Sequence, residues 1–350
     1  MSYIGHSCIK RNILLVFVSF WIMGGAVTAQ AAPSEVYLQA EKLQKEPNGA
    51  QKAIDYLWKN SEKLQRPELL QLAKLLVKKN QFKDILKVSD IALAKNPQDP
   101  EFLTFQGKAY METGQNKKNN DKAQESLRAA IDADPKFEPA YLILDDFYER
   151  QDALFQKLKK PLRFLQTRRL LFEDLIKNVG DKALYEAKLC EINSLDGVND
   201  QATKNCLKAI ELNKSDMMSR LNLAQVYKQT GEKKKSLEVL QKAVLDNPSS
   251  LEVRNAFGSQ LEEDKNYGDA YQHFKACLEK NPEYPPCLRG LGATAASLKK
   301  WDESYSAFQK LCRKGRRWSL DVRKAAATAQ ELGELGWQQK LLELSINCNI

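Results

Sequence analysis

The sequence is poor in the residue that most often carries out acid–base chemistry at neutral pH. Its 350 residues include only two histidines, together with 16 glycines and 12 prolines. Because histidine is the commonest general base and metal ligand, this scarcity disfavours most histidine-dependent chemistry. Low proline and glycine contents disfavour sandwiches, barrels and glycine-rich nucleotide-binding folds. The composition therefore favours a helical protein that binds rather than catalyses.

Average properties argue against two further classes of protein. Hydrophobic residues make up 43% of the chain and its mean hydropathy is −0.52. These values describe a foldable chain, neither a multi-span membrane protein nor a disordered one. The length exceeds one ordinary domain core, and the net charge of +9 indicates a basic surface without a polybasic tail.

The first 31 residues have the three-part layout of a secretory signal peptide. Lys10 and Arg11 precede an uncharged apolar run over residues 13–27, and the small-residue pattern Ala29-Gln30-Ala31 follows. The run is shorter than the roughly 20 residues that a membrane-spanning helix needs. We therefore expect export to the periplasm of a Gram-negative bacterium or beyond. The alternative is an inner-membrane anchor formed by residues 13–27.

Short proline motifs recur at a nearly constant interval in the rest of the chain. Asn-Pro or Asp-Pro pairs end at Pro97, Pro135, Pro248 and Pro282. The last two prolines are 34 residues apart, and the first two are separated by 38 residues because of a short insertion. A period of this length, with a proline after each apolar helical segment, indicates stacked supersecondary units.

The units resemble tetratricopeptide repeats (TPRs), which are pairs of antiparallel helices, A and B. In residues 251–284, Gly258 takes position 8, Phe274 position 24 and Pro282 position 32. Small residues at positions 8, 20 and 27 let the two helices approach closely, and large residues elsewhere fill the space between them. The resemblance covers roughly residues 66–312. It implies an all-α solenoid, a superhelix of antiparallel helix pairs with degenerate capping units at both ends.

The same register predicts how the chain is divided. Residues 32–65 form a degenerate helical pair, and residues 66–182 form TPR-like units. The middle unit is irregular, since the extra segment 151–161 leads into a basic helix over residues 162–179. Residues 183–317 are again TPR-like, and residues 318–350 are capping helices. Because each unit contacts only its neighbours, we expect an elongated superhelix.

The resemblance also implies a binding groove, because positions 2, 5, 9, 12 and 13 of helix A line the concave face in this family. No unit has the lysine and asparagine pair with which some relatives clamp a terminal carboxylate. The mixed charge of the groove instead suggests an extended peptide or a helix of a partner protein. The candidates are Leu221, Gln225, Lys228, Gln229, Asn255, Ser259, Glu262 and Arg289.

Two basic clusters contain no acidic residue. Charge runs are usually solvated faces, and nucleic acid is not expected as a partner of an exported protein. The functional alternative is attraction to an anionic cell-wall polymer or another anionic surface. The first cluster is Lys157, Lys159, Lys160, Arg163, Arg168 and Arg169, and the second is Arg313, Lys314, Arg316 and Arg317.

Six cysteines follow the predicted signal peptide, and an even number in an oxidising compartment suggests disulfides. The alternative is a set of buried, reduced thiols. The repeat register brings together Cys190 with Cys206, Cys277 with Cys287, and Cys312 with Cys348. These pairings follow from the register that the family resemblance supplies.

Candidates for catalysis are few. The sequence has neither a Walker loop nor a Cys-x2-Cys pair, so we predict no enzymatic activity, cofactor or metal site. Asp145, Asp146 and Glu149 form a carboxylate cluster that we expect to be solvated or to face a partner, and we expect His273 to be solvated. The sequence does not indicate the oligomeric state.

Overall fold

A computed structural model describes residues 33–114 and 116–348, and this part of the chain contains eighteen α-helices and no strand. The all-α prediction is therefore confirmed. The predicted signal peptide, residues 1–31, lies outside the described residues, as does the alternative anchor. Among the described residues, no helix combines the length and the apolar character needed to cross a membrane.

The chain divides between Pro97 and Gln98 into two compact units. In the first unit, each of the four helices packs against the next one along the chain. The first two helices lie within residues 32–65. The helices are α1 (Glu35–Gln44), α2 (Gly49–Lys59), α3 (Arg66–Lys78) and α4 (Phe82–Lys95).

The second unit contains seven helix pairs. We call the first helix of each pair A and the second B. The A helices are α5 (Pro100–Thr113), α7 (Glu138–Lys157), α9 (Ala183–Asp196), α11 (Met217–Gln229), α13 (Leu251–Glu263), α15 (Pro285–Ser297) and α17 (Ser319–Glu331). The B helices are α6 (Lys117–Ala133), α8 (Leu165–Val179), α10 (Asn199–Leu212), α12 (Lys233–Asp246), α14 (Tyr267–Lys280), α16 (Trp301–Cys312) and α18 (Leu335–Ile346).

The packing within the second unit is that of a solenoid. Each helix contacts its neighbours along the chain, and A helices also contact A helices of adjacent pairs, as α11 does with α9 and α13. The A helices therefore form one layer and the B helices lie behind it. The predicted α-solenoid is confirmed for this unit.

Local sequence explains where the helices start and stop. The side chains of Asp99, Asp216 and Ser250 accept hydrogen bonds from backbone N–H groups in the first turns of α5, α11 and α13. Such caps satisfy donors that have no partner within the helix. Gly231, with a φ of 82°, forms the turn between α11 and α12. Glycine suits this left-handed conformation because it has no Cβ.

Two regular pairs show the close packing expected at position 8. A Cβ atom added to Gly258 would lie 3.0 Å from the ring of Phe274. One added to Gly292 would lie 2.7 Å from the ring of Phe308. Both contacts are shorter than ordinary van der Waals distances, so a Cβ atom at Gly258 would require a small shift of Phe274 and one at Gly292 would force Phe308 to move.

The pair α7–α8 departs from this pattern. It corresponds to the irregular middle unit of the sequence, and we call it the middle pair. Helix α7 has 20 residues, whereas the neighbouring A helices α5 and α9 have 14. Residues 158–164 are not helical, and helix α8 therefore starts at Leu165, three residues later than the sequence predicted. The extra length of this unit is therefore divided between an extended α7 and the connection to α8.

Candidate functional site

The predicted groove residues lie on three consecutive A helices that contact one another. Gln225, Lys228 and Gln229 are on α11, whereas Asn255, Ser259 and Glu262 are on α13, and Arg289 is on α15. All of them are at least partly exposed. We call these seven residues, together with Glu263, the A-helix face.

Ion pairs connect the helices of the A-helix face. Lys228 Nζ lies 2.6 Å from a carboxylate oxygen of Glu263, which links α11 to α13. Arg289 donates to both carboxylate oxygens of Glu262, at 2.9 and 3.4 Å, which links α13 to α15. These pairs place charged side chains of both signs next to one another across neighbouring repeats.

Leu221 is not part of this surface, so that prediction is wrong. Its side chain is 3% exposed and packs in a core cluster with Ala224, Leu240 and Val253. The last two belong to α12 and α13, which cover this side of α11. Position 5 therefore supports the repeat interface in this unit instead of lining a groove.

A second group of charged residues joins α7, α8 and α9. Arg168 Nε lies 2.6 Å from one carboxylate oxygen of Asp145, and Lys188 Nζ lies 3.0 Å from the other. Both cations also contact Glu149, at 3.3 and 3.2 Å. The side chains of Asp145 and Arg168 are each 2% exposed. We call these four residues the buried ion cluster.

The protonation states of the cluster follow from its geometry. Burial alone would raise the pKa of Asp145, but Lys188 and Arg168 lower it below its usual value. Burial would lower the pKa of Lys188, whereas Asp145, Glu191 and Glu149 raise it overall. Each group therefore stays charged because its partners are charged.

This cluster corrects two predictions. Asp145 was expected on a solvated or partner-facing surface and Arg168 on a basic face, yet both are buried against each other. Arg168 is drawn inward because Asp145 occupies position 8, where a carboxylate needs a counter-charge. Asp146, by contrast, belongs to a separate, partly buried network, in which it lies 2.8 Å from Arg150 and 3.6 Å from Lys108.

The remaining basic residues are distributed over two surfaces. Arg169 is partly buried, pairs with Asp196 and donates to Asn193 Oδ1 at 2.6 Å. Lys314 pairs with Glu283 at 2.7 Å. The others are exposed, namely Lys157, Lys159, Lys160, Arg163, Arg313, Arg316 and Arg317.

The single histidine among the described residues is half-buried instead of solvated, contrary to expectation. The ring of His273 lies 4.6 Å from that of Phe257 in an edge-on arrangement. Burial lowers the pKa of His273, the nearby Arg254 lowers it further, and Asp269 opposes both. A neutral ring packed on an aromatic side chain has a structural role.

The six described cysteines form three disulfide bonds with the predicted pairing. Cys190 is bonded to Cys206, Cys277 to Cys287, and Cys312 to Cys348. All six are buried. The first bond joins positions 8 and 24 within one helix pair, and the second joins adjacent pairs. The third ties the segment just after α18 to the last residue of α16. Within residues 33–114 and 116–348, no group of three or more potential metal ligands is found.

Comparison with known families identifies the repeats. Residues 100–137 and 219–248 match the family described as tetratricopeptide repeat. These stretches correspond to the pairs α5–α6 and α11–α12. The chain therefore contains TPRs within an all-α solenoid. No curated protein sequence matches the chain.

Several solved structures are similar to this chain. PilF from Pseudomonas aeruginosa is 17% identical with a TM-score of 0.47, and the match covers 61% of this chain and 90% of PilF. YrrB, described as a TPR protein with an unusual peptide-binding site, is 13% identical with a TM-score of 0.42 and coverages of 56% and 93%. Human IFIT1 with m7Gppp-AAAA is 18% identical with a TM-score of 0.47 and coverages of 91% and 76%.

Proposed function

We propose that this protein is a non-enzymatic scaffold that binds an extended peptide or a helix of a partner protein on its A-helix face. The observation that carries the proposal is the row of charged and polar side chains held by ion pairs across α11, α13 and α15. Charges of both signs arranged across neighbouring repeats favour a partner with a complementary pattern.

The proposed setting is the bacterial envelope. Three buried disulfides among the described residues support an oxidising compartment, in which such bonds persist. The predicted signal peptide supports the same location. A scaffold of this kind requires no cofactor, because its energy of binding comes from surface complementarity.

The test is co-purification of crosslinked partners from envelope extract. We expect Lys228→Glu combined with Arg289→Glu to reduce recovery of the partner about tenfold or more, because both changes reverse charges on the A-helix face. Lys242→Glu is the matched control, since Lys242 is exposed on the B helix α12. Recovery that is unchanged by the double variant, or equally reduced by the control, would contradict the proposal.

A second candidate function is binding of an anionic cell-wall polymer by the second basic cluster. It is favoured by Arg313, Arg316 and Arg317, which are all exposed around the connection from α16 to α17. Several cations grouped on one surface attract polyanions at low ionic strength. Sedimentation with isolated cell wall tests it. Changing all three arginines to glutamine should abolish salt-sensitive sedimentation, and unchanged sedimentation would exclude this candidate.

A further inference from the structure

The end of α7 and the connection to α8 form a basic segment without a counterpart in the neighbouring pairs. Residues 153–163, which we call the basic extension, contain four exposed cations and no acidic residue. The acidic residue that precedes them, Asp152, is 3% exposed and faces inward. The four cations are Lys157, Lys159, Lys160 and Arg163.

The basic extension is held in a defined conformation. Asp152 Oδ1 accepts hydrogen bonds from the backbone N–H groups of Arg163 and Phe164, at 2.7 and 3.1 Å. The ring of Phe164 stacks on Tyr148 at 5.0 Å and lies 6.4 Å from Phe155. These contacts tie both ends of the segment to the body of α7, so its backbone presents the cations on one connected stretch of surface.

Two exposed leucines accompany the cations. Leu154 is 39% exposed and Leu158 is 64% exposed. Leu158 directly follows the last residue of α7 and is four residues after Leu154, so the two side chains lie near the same side of the helix end. Single exposed leucines are common on protein surfaces. A pair one turn apart, with lysines on either side and no acidic residue, combines apolar and cationic surface in one place.

We propose that the basic extension binds an anionic lipid surface. Lysine and arginine are attracted to acidic headgroups, and exposed leucines enter the boundary between headgroups and acyl chains. An anionic polysaccharide would use the charges but would leave the leucines exposed to water. The leucines therefore favour a membrane as the partner. The basic extension and the A-helix face share no residue and lie on different helices, so variants of one leave the side chains of the other unchanged.

The test uses the chain without the predicted signal peptide, residues 32–350. It measures flotation of this protein with vesicles of phosphatidylethanolamine and phosphatidylglycerol. Vesicles of phosphatidylcholine alone are the uncharged reference. Each lysine near an anionic surface contributes about fivefold in partition. Changing Lys157, Lys159 and Lys160 to glutamine should therefore weaken binding to the anionic vesicles about 100-fold. Leu154→Ser combined with Leu158→Ser should weaken it about tenfold or more, by removing the inserting side chains.

The chain provides a matched control for the leucines. Leu342 and Ile346 are 40% and 75% exposed and are also one turn apart, but Glu343 lies beside them. Changing both to serine should leave flotation unchanged. Helix content measured by circular dichroism should be the same for all variants, since every altered side chain is exposed.

Three outcomes would overturn the proposal. The first is a failure of the wild-type chain to float with anionic vesicles. The second is a loss of binding in the control pair equal to that in the leucine variant. The third is binding that depends on the lysines but not on Leu154 and Leu158. In that case heparin retention should fall in parallel, which would assign the basic extension to anionic polymers.

Discussion

The contact between helices A and B at position 8 of the repeat differs between the regular pairs and the middle pair. In α15–α16, Gly292 lets the ring of Phe308 come so close that no side chain would fit between the helices. In α7–α8, the same position holds Asp145, which is buried against Arg168. In the regular pair, the close contact depends only on the absence of a side chain at glycine. In the middle pair, it depends on a complete set of charged partners.

The pair α9–α10 makes this contact in a third way. Cys190 occupies position 8 and is bonded to Cys206, with their Cα atoms 4.8 Å apart. Close approach is here fixed by a covalent bond. The comparison teaches that the fold requires contact between helices A and B at this point, whereas the chemistry of the contact is open to change. The following predictions test these contacts and the packing of His273, from the largest expected effect to the smallest.

Removal of the charge of Asp145 should have the largest effect. Asp145→Asn would leave Arg168 and Lys188 buried with less compensation, and breaking such a cluster costs about 3–5 kcal/mol of unfolding free energy. Urea unfolding followed by circular dichroism measures the change. Asp181→Asn is the control, because Asp181 is 42% exposed and pairs with the exposed Lys208, and it should cost less than about 1 kcal/mol. Equal effects of the two variants would show that the buried ion cluster has no special role.

Loss of the bond between Cys190 and Cys206 should have the next largest effect. The two cysteines are 16 residues apart, and closing a loop of that length stabilises the folded state by about 3 kcal/mol. Cys190→Ala combined with Cys206→Ala should lower the urea midpoint, whereas reductant should no longer affect this site. A variant as stable as the oxidised parent chain would contradict the account.

A methyl group at position 8 of a regular pair should have a smaller effect. Gly292→Ala forces the ring of Phe308 to move, and overpacking of this kind costs about 1–3 kcal/mol. Gly268→Ala is the control, because a Cβ atom there would meet no heavy atom within 4 Å. Alanine is the better helix former, so this control should be neutral or slightly stabilising. If Gly292→Ala behaves in the same way, the contact is not tight.

Titration of His273 should have the smallest effect. Its pKa is lower in the folded chain than in the unfolded chain, chiefly because of burial. As the pH falls through the ordinary value of about 6.5, the unfolded state takes up a proton before the folded state does. Stability should therefore decrease between about pH 7 and the folded pKa, and His273→Gln should remove this decrease. A decrease of the same size in the variant would assign it to other groups.

The repeat register could be predicted from sequence because it depends on local signals. Pro248 and Pro282, one period apart, locate the ends of the B helices, and Gly258 marks where two helices meet. The disulfide pairing followed from the same register. These features need only the spacing of residues along a helix pair.

The buried ion cluster could not be predicted in this way. Asp145 and Arg168 are 23 residues apart and belong to the irregular unit, where the register gives no distances. Both were assigned to the surface because charged residues are usually there. The available signal was the carboxylate at position 8, where this family has a small residue. Leu221 was misplaced for a related reason, since burial by α12 and α13 depends on how neighbouring pairs pack.

The most direct test of binding on the A-helix face is photo-crosslinking in intact cells. A photoreactive amino acid placed at Gln225 or Ser259 samples this face. The same residue at Gln241 or Gln272 samples exposed positions on the B helices α12 and α14. We predict a discrete protein adduct from the first two positions and none from the last two. Adducts from the B-helix positions alone, or from none of the four, would contradict the proposal that this solenoid binds its partner through the A helices.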